Sequence, residues 1–154
     1  MKDGKRVVVV SSCLLGTNCK YNGGNNLHPG VVAYVKDKLV IPVCPERLSG
    51  LPTPRPRVEL RAGRAVNEYG EDVDEVFRLG VARTMAQLKD QQVDEAILQS
   101  RSPTCGTRQI YDGTFSGRLL PGQGMLARAL MEKGIPVVDA AEIEENGTKG
   151  EPGA

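Results

Sequence analysis

Four short apolar segments are spread along the chain, and each predicts a β-strand. They are Val7–Val10, Leu39–Val43, Ala96–Leu98 and Pro136–Asp139. Stretches with helical periodicity separate these strands, and such alternation is typical of βαβ units, in which successive strands run parallel. The pattern therefore predicts an α/β fold built on a mainly parallel sheet.

Apolar residues at a spacing of three to four positions predict three helices. The clearest is Asp72–Asp90, a second is Gln123–Lys133, and a shorter one is Val31–Lys38. Gly134 lies just past the second helix, at the position where glycine commonly ends a helix. The apolar face of the first helix is formed by Val73, Val76, Phe77, Val81, Met85 and Leu88.

Two accessory hairpins are expected beside the sheet. One pairs Val58–Arg61 with Arg64–Asn67, and the other pairs Gln109–Tyr111 with Thr114–Phe115 around Asp112-Gly113, a tight-turn signal. Pro42 is expected to mark the end of the second strand, because proline has no N–H to donate. Together the elements predict a single three-layer, Rossmann-like α/β domain over residues 1–143. The polar, Gly-rich residues 144–154 are predicted to form a flexible tail.

Charge and hydropathy indicate which kinds of partner to expect. The chain has 20 Lys and Arg against 19 Asp and Glu, a net charge of +1, and its basic residues form no block. Hence no nucleic-acid partner is indicated. No apolar stretch approaches the ~20 residues of a membrane helix, and the first residues lack the pattern of a signal peptide. We therefore expect a cytoplasmic protein without a membrane partner, either a monomer or a homodimer.

Three of the four cysteines, Cys13, Cys44 and Cys105, come after predicted strands. If these strands are parallel, the thiols emerge at the carboxyl-end edge of the sheet, where open α/β folds bind their ligands. Free thiols beside a cleft in a cytoplasmic protein suggest metal binding or catalysis, although a cysteine can also be a small buried hydrophobic residue. No pair has the Cys-x-x-Cys spacing of a zinc ribbon. Spacing alone thus leaves the type of site open.

Several short motifs resemble the bacterial thiouracil desulfidase family, long catalogued only as a domain of unknown function. The resemblance extends from about Val7 to Val138. The matching segments are Ser11–Gly16, Tyr21-Asn22-Gly23, Cys44-Pro45-Glu46, Gly50–Pro56, Ser100–Gly106 and Gln109–Gly117.

This resemblance implies an oxygen-sensitive [4Fe-4S] cluster held by Cys13, Cys44 and Cys105, with one iron not ligated by the protein. It also implies a small thiolated substrate, such as thiouracil, and acid–base or hydrogen-bonding roles for Glu46 and Ser102. Thiolate sulfur suits such clusters, and an exposed iron can act as a Lewis acid on a thiocarbonyl. Water would then attack the ring carbon and sulfide would leave onto the open iron, with no net redox change.

The candidate catalytic and substrate-binding residues each have a simpler alternative. Glu46 follows Cys44 closely enough to face the same cavity as a general base, but it can also be a surface carboxylate. Ser102 can hold the substrate or relay a proton, or be a turn residue before Pro103. The candidates for substrate binding are Ser100, Ser12 and Arg55, the last for an anionic group of the substrate or for loop packing.

Cys19 and one glycine motif leave alternatives open. If Cys19 reached the fourth iron, direct substrate ligation would be blocked; we favour a spectator thiol or a sulfur acceptor. Gly122-x-Gly124-x-x-Ala127 imitates a dinucleotide fingerprint, but Arg118–Pro121 is a poor first Rossmann strand. Besides the desulfidase, two functions remain: a non-enzymatic metal- or sulfur-binding or transfer module, and an α/β adaptor with buried cysteines.

Overall fold

The structure is a computed structural model that describes residues 2–149. At its centre is a four-stranded parallel sheet in the order β2-β1-β5-β8, which confirms the α/β prediction. The strands are β1 Val7–Ser11, β2 Leu39–Val43, β3 Val58–Arg61, β4 Arg64–Asn67, β5 Glu95–Leu98, β6 Gln109–Tyr111, β7 Leu119–Pro121 and β8 Val137–Asp139. The helices are α1 Pro29–Tyr34, α2 Pro45–Leu48, α3 Asp74–Leu88 and α4 Met125–Glu132, with 3₁₀ turns at Ser12–Leu15 and Ala140–Glu142.

Helices cover both faces of the sheet, so the domain has three layers as predicted. Successive side chains of a strand point to opposite faces. Accordingly Val9 packs with Val81 of α3 and Leu126 of α4, whereas Val8 packs on the other side with Val31 of α1. All five side chains are buried. An uninterrupted apolar run such as β1 is what burial on both faces requires.

Pro42 lies inside β2 and does not end it. It pairs in register with Val10, and the strand continues through Val43 beside Ser11. The strand tolerates proline because β2 is an edge of the sheet and needs no donor on its outer side. The chain therefore turns two residues after Pro42, directly at Cys44.

The predicted pairing of the second hairpin is wrong. Gln109–Tyr111 pairs with Leu119–Pro121 and not with Thr114–Phe115. The carboxylate of Glu59 in β3 accepts the backbone N–H groups of Gly113 (3.0 Å) and Phe115 (3.1 Å), and Phe115 has a positive φ of 57°. The Asp112-Gly113 segment is therefore held in a wider loop that packs on β3, and it does not form a two-residue turn.

The start of α4 binds a loop and not a nucleotide. The N–H groups of Gly124, Met125 and Leu126 donate to backbone carbonyls within residues 103–106. Those donors are the ones that a pyrophosphate would need at a helix start. The glycine motif thus secures the loop that carries Cys105, and the dinucleotide alternative loses its structural basis.

The last described residues pack against α1. Gly147 lies beside Ala33, and the Glu144 N–H donates to the carbonyl of Thr148 at 2.8 Å. Residues 150–154 of the predicted tail lie outside the described residues, and the flexibility of the tail stays a prediction. Between residues 2 and 149, no helix has the length and apolar character needed to traverse a bilayer.

One glycine sets the distance between α3 and α2. A Cβ added to Gly80 would lie 2.0 Å from the carbonyl oxygen of Pro45. We predict that Gly80→Ala lowers the free energy of unfolding by about 1–3 kcal/mol through overpacking, although alanine is the better helix former. Urea unfolding measures this change. The exposed Ala86→Leu is the control and should stay within about 0.5 kcal/mol; unchanged or increased stability of Gly80→Ala would refute the close contact.

Candidate metal centre

Three loops meet in one cavity at the carboxyl-end edge of the sheet. The cavity has a volume of about 690 Å³, and Cys13, Cys19, Cys44 and Cys105 all line it. Cys13 lies in the 3₁₀ turn after β1, and Cys44 is the residue between β2 and α2. The strand order places the ends of β2, β1 and β5 side by side, which is why cysteines far apart in sequence share this cavity.

Cys19 lies between two of the predicted ligands. Its buried thiol hydrogen-bonds to the sulfurs of Cys13 and Cys44. As the donor, it lowers the pKa of Cys13 and brings the pKa of Cys44 to about 7, while its own pKa rises far above the ordinary range. The Asn26 side chain also donates to Cys13 Sγ at 3.5 Å. The lowered pKa values of Cys13 and Cys44 favour the thiolate, which is the form that binds metals.

Cys105 has a different environment. It is only 5% exposed, and burial raises the pKa of its thiol to about 12. The hydroxyl of Thr104 donates to its sulfur at 3.6 Å, and the Ser11 side chain also hydrogen-bonds to it. This thiol stays protonated at neutral pH, so binding a metal there would release its proton.

The four thiols do not surround a single ion. Within residues 2–149, no three Cys, His, Asp or Glu side chains are grouped closely enough to hold one metal ion. A cluster requires a wider arrangement, because each of its thiolates binds a different iron atom. Thiols spread around a cavity of this size therefore fit the wider spacing of a cluster better than the close grouping around a single ion.

Glu46 and Arg55 form an ion pair on the wall of the cavity. Arg55 Nη2 lies 2.6 Å from Glu46 Oε2, and the side chains are 2% and 18% exposed respectively. The same Nη2 donates to the carbonyl of Cys19 at 2.9 Å, and Nη1 donates to Thr53 Oγ1 at 3.1 Å. Of the roles predicted for Arg55, this geometry favours loop packing and the positioning of Glu46 over binding of an anionic substrate.

The predicted serines occupy different environments. Ser100 lines the cavity and donates its hydroxyl proton to Asp139. Ser102 also lines it, but its oxygen accepts the N–H groups of Thr104 (3.1 Å) and Cys105 (3.0 Å). Ser12 is not among the residues that line the cavity, whereas its neighbour Ser11 is.

Sequence reasoning missed three polar residues at this site. Asp139 follows directly on Val138 of the fourth strand, so its place at the carboxyl-end edge was a usable signal. Asn26 and Thr104 contact the sulfurs of Cys13 and Cys105. No spacing rule points to Asn26, because it lies 13 positions after Cys13 and is brought back by the loop between them.

The comparison with protein families matches nearly the whole domain. The model of the family described as 2-thiouracil desulfurase matches residues 8–142. The chain belongs to the 2-thiouracil desulfurase family. A similar curated protein is YbbK of Bacillus subtilis, described as uncharacterized, which is 36% identical over 149 residues; the match covers 90% of this chain and 99% of YbbK.

A solved structure of the same architecture is the [4Fe-4S]-dependent thiouracil desulfidase TudS. It superposes with a TM-score of 0.80 at 32% sequence identity, over 90% of this chain and 93% of the TudS chain. This member of the 2-thiouracil desulfurase family therefore shares its fold with TudS.

The hydrogen bonds of Cys19 predict an order of thiol reactivity in the metal-free protein. Cys44 should be alkylated first, with a rate that rises through about pH 7, below the ordinary cysteine value of about 8.5. A lowered pKa leaves the reactive thiolate present at lower pH. Iodoacetamide labelling followed by peptide mass spectrometry measures each site.

Cys19→Ala is the matched variant, because it removes the donor and should raise the pH at which Cys44 reacts. Reaction of Cys44 only at the ordinary cysteine pH while Cys19 is present would contradict the assigned hydrogen bonds.

Proposed function

We propose that this protein is an iron–sulfur-dependent, non-redox desulfidase that removes sulfur from a thiolated pyrimidine such as thiouracil. The main support is the convergence of Cys13, Cys44 and Cys105 on one cavity, with Glu46 on its wall. The relative TudS is named as a [4Fe-4S]-dependent thiouracil desulfidase. Substrate, water and a cluster would have to share this cavity.

The three cysteines suit a [4Fe-4S] cluster by their chemistry. Thiolates are the usual ligands of such clusters, and Cys13 and Cys44 already have lowered pKa values. Hydrogen bonds from Asn26 and Thr104 to the sulfurs of Cys13 and Cys105 would orient these ligands. When bound, a cluster with one iron free of protein ligands would supply a Lewis acid for the thiocarbonyl sulfur.

Glu46 is the proposed general base. Arg55 holds one carboxylate oxygen, Oε2, while the other oxygen, Oε1, accepts no hydrogen bond from residues 2–149. Oε1 is thus placed to take a proton from a water that adds to the thiocarbonyl carbon. That proton and the proton left on the added hydroxyl group would both pass to the departing sulfur. Water and thiouracil would give uracil and hydrogen sulfide, and no electron donor is needed.

Ser102 is proposed to act through the Cys105 loop. Its oxygen accepts hydrogen bonds from two backbone N–H groups. Its hydroxyl is also hydrogen-bonded to Thr104 Oγ1 at 3.1 Å. Thr104 in turn donates to Cys105 Sγ. Ser102 therefore connects the substrate cavity to a ligand sulfur by a chain of hydroxyls, the type of path along which a proton can be relayed.

Cys19 is proposed to be a hydrogen-bond donor and not a ligand. Its thiol is a hydrogen-bonding partner of the sulfurs of Cys13 and Cys44, and its single proton can stabilise the thiolate form of either one before a metal binds. The iron left without a protein ligand then stays available to substrate.

Single cysteine substitutions test the ligand set. Cys13→Ser, Cys44→Ser and Cys105→Ser should each lose most of the bound iron after anaerobic reconstitution, because a ligand is removed. Cys19→Ser is the matched control and should keep it. Iron and sulfide analysis with the visible absorption spectrum is the measurement. Full iron content in all three ligand variants would refute the assignment, as would loss of iron only in Cys19→Ser.

Removal of the base should separate cluster binding from turnover. We predict that Glu46→Gln keeps its iron but releases sulfide from thiouracil at least ~10²-fold more slowly, the usual minimum contribution of a general base. Glu68→Gln, a carboxylate paired with Arg57, is the control and should turn over normally. Normal sulfide release by Glu46→Gln would exclude an essential base at this position.

A further inference from the structure

Asp139 is a buried carboxylate at the end of β8, and it lines the cavity although no sequence motif marked it. It is 4% exposed. Its Oδ1 accepts the backbone N–H of Ala141 at 2.8 Å and the hydroxyl of Ser100, and its Oδ2 accepts the hydroxyl of Thr107 at 3.1 Å. All three neighbours act as donors, as an ionised carboxylate requires.

This arrangement fixes the direction of the Ser100 hydroxyl. A serine hydroxyl has one proton and two lone pairs, and the proton of Ser100 is committed to Asp139. Among residues 2–149, no group donates to Ser100 Oγ, and Ser100 lines the same cavity as Cys105. What Ser100 offers to a bound molecule is therefore an acceptor and not a donor.

We propose that Ser100 Oγ accepts a hydrogen bond from a ring N–H of the substrate, and that Asp139 is the positioning residue that fixes this polarity. The inference rests on the proposed function, because a thiolated pyrimidine supplies an N–H next to its thiocarbonyl carbon. The substrate class is then a cyclic thioamide with a free N–H at that position. A compound alkylated on this nitrogen leaves a polar acceptor without a partner, and that mismatch is costly.

Uracil and its two N-methyl derivatives test this specificity. Uracil keeps both ring N–H groups but has no sulfur to lose, so its affinity for the anaerobically reconstituted protein can be measured by calorimetry without turnover. We expect one of N1-methyluracil and N3-methyluracil to bind on the order of tenfold more weakly than uracil. The quantity to compare is the ratio of dissociation constants, that of the weaker-binding methyluracil divided by that of uracil. In Ser100→Ala this ratio should approach one.

Three further variants separate positioning from folding. Asp139→Ala frees the Ser100 hydroxyl and should also lower the ratio. Asp139→Asn should keep the ratio, because its amide oxygen can remain where the Ala141 N–H and Ser100 donate. Thr107→Val removes another partner of Asp139 without touching the cavity and should keep it as well. A general structural defect would not produce this division between variants.

The outcomes separate this inference from the proposed function. Suppose that the wild type releases sulfide from 2-thiouracil but binds the three uracils equally, or binds uracil too weakly to measure. Either result would overturn the role of Ser100 as acceptor and leave the desulfidase proposal in place. A ratio that persists in Ser100→Ala would overturn it too. Discrimination among the uracils without any sulfide release would instead overturn the desulfidase proposal and leave the acceptor in place.

Discussion

Parallel strands end at a common edge, and the pairing of β1 with both β2 and β5 is the constraint on which this site depends. Val10 pairs with Pro42 on one side and with Ile97 on the other. The three chain segments therefore leave the sheet side by side, although about 30 and 90 residues separate them in sequence. Each then enters a loop that carries a cysteine. A slip in this register would move the thiols apart, so the proposed metal site depends on the pairing of these strands.

A second level of order comes from buried polar groups that join the loops. Arg55 binds Glu46 and the carbonyl of Cys19, and its own N–H donates to the carbonyl of Tyr21 at 2.7 Å. Asp139 joins Ser100 and Thr107 in the same way. Because an unsatisfied buried polar group is costly, each such residue holds its neighbours in one arrangement. In this way a small sheet carries long loops that are ordered enough to position reacting groups.

Periodicity predicted the central sheet and the helices α1, α3 and α4, because burial leaves a periodic pattern in the sequence, but it did not predict the short helix α2. The partner of β6 was not predictable locally, since Glu59 reaches in from another hairpin to hold the intervening loop. The role of Arg55 was ambiguous for the same reason: its partners lie up to 36 residues away. Asp139 ends a predicted strand, so the rule that placed the cysteines at the carboxyl-end edge of the sheet would also have placed Asp139 there. Long-range polar contacts, in contrast, leave no periodic signal.

In the proposed reaction, water replaces sulfur in the substrate without a change of oxidation state. Incubation of the reconstituted protein with 2-thiouracil in oxygen-18 water, under anaerobic conditions and without any reductant, tests this step. We expect equal amounts of sulfide and uracil, with one labelled oxygen in each uracil formed. Sulfur retained on the protein as a cysteine persulfide, or no labelled uracil at all, would contradict it.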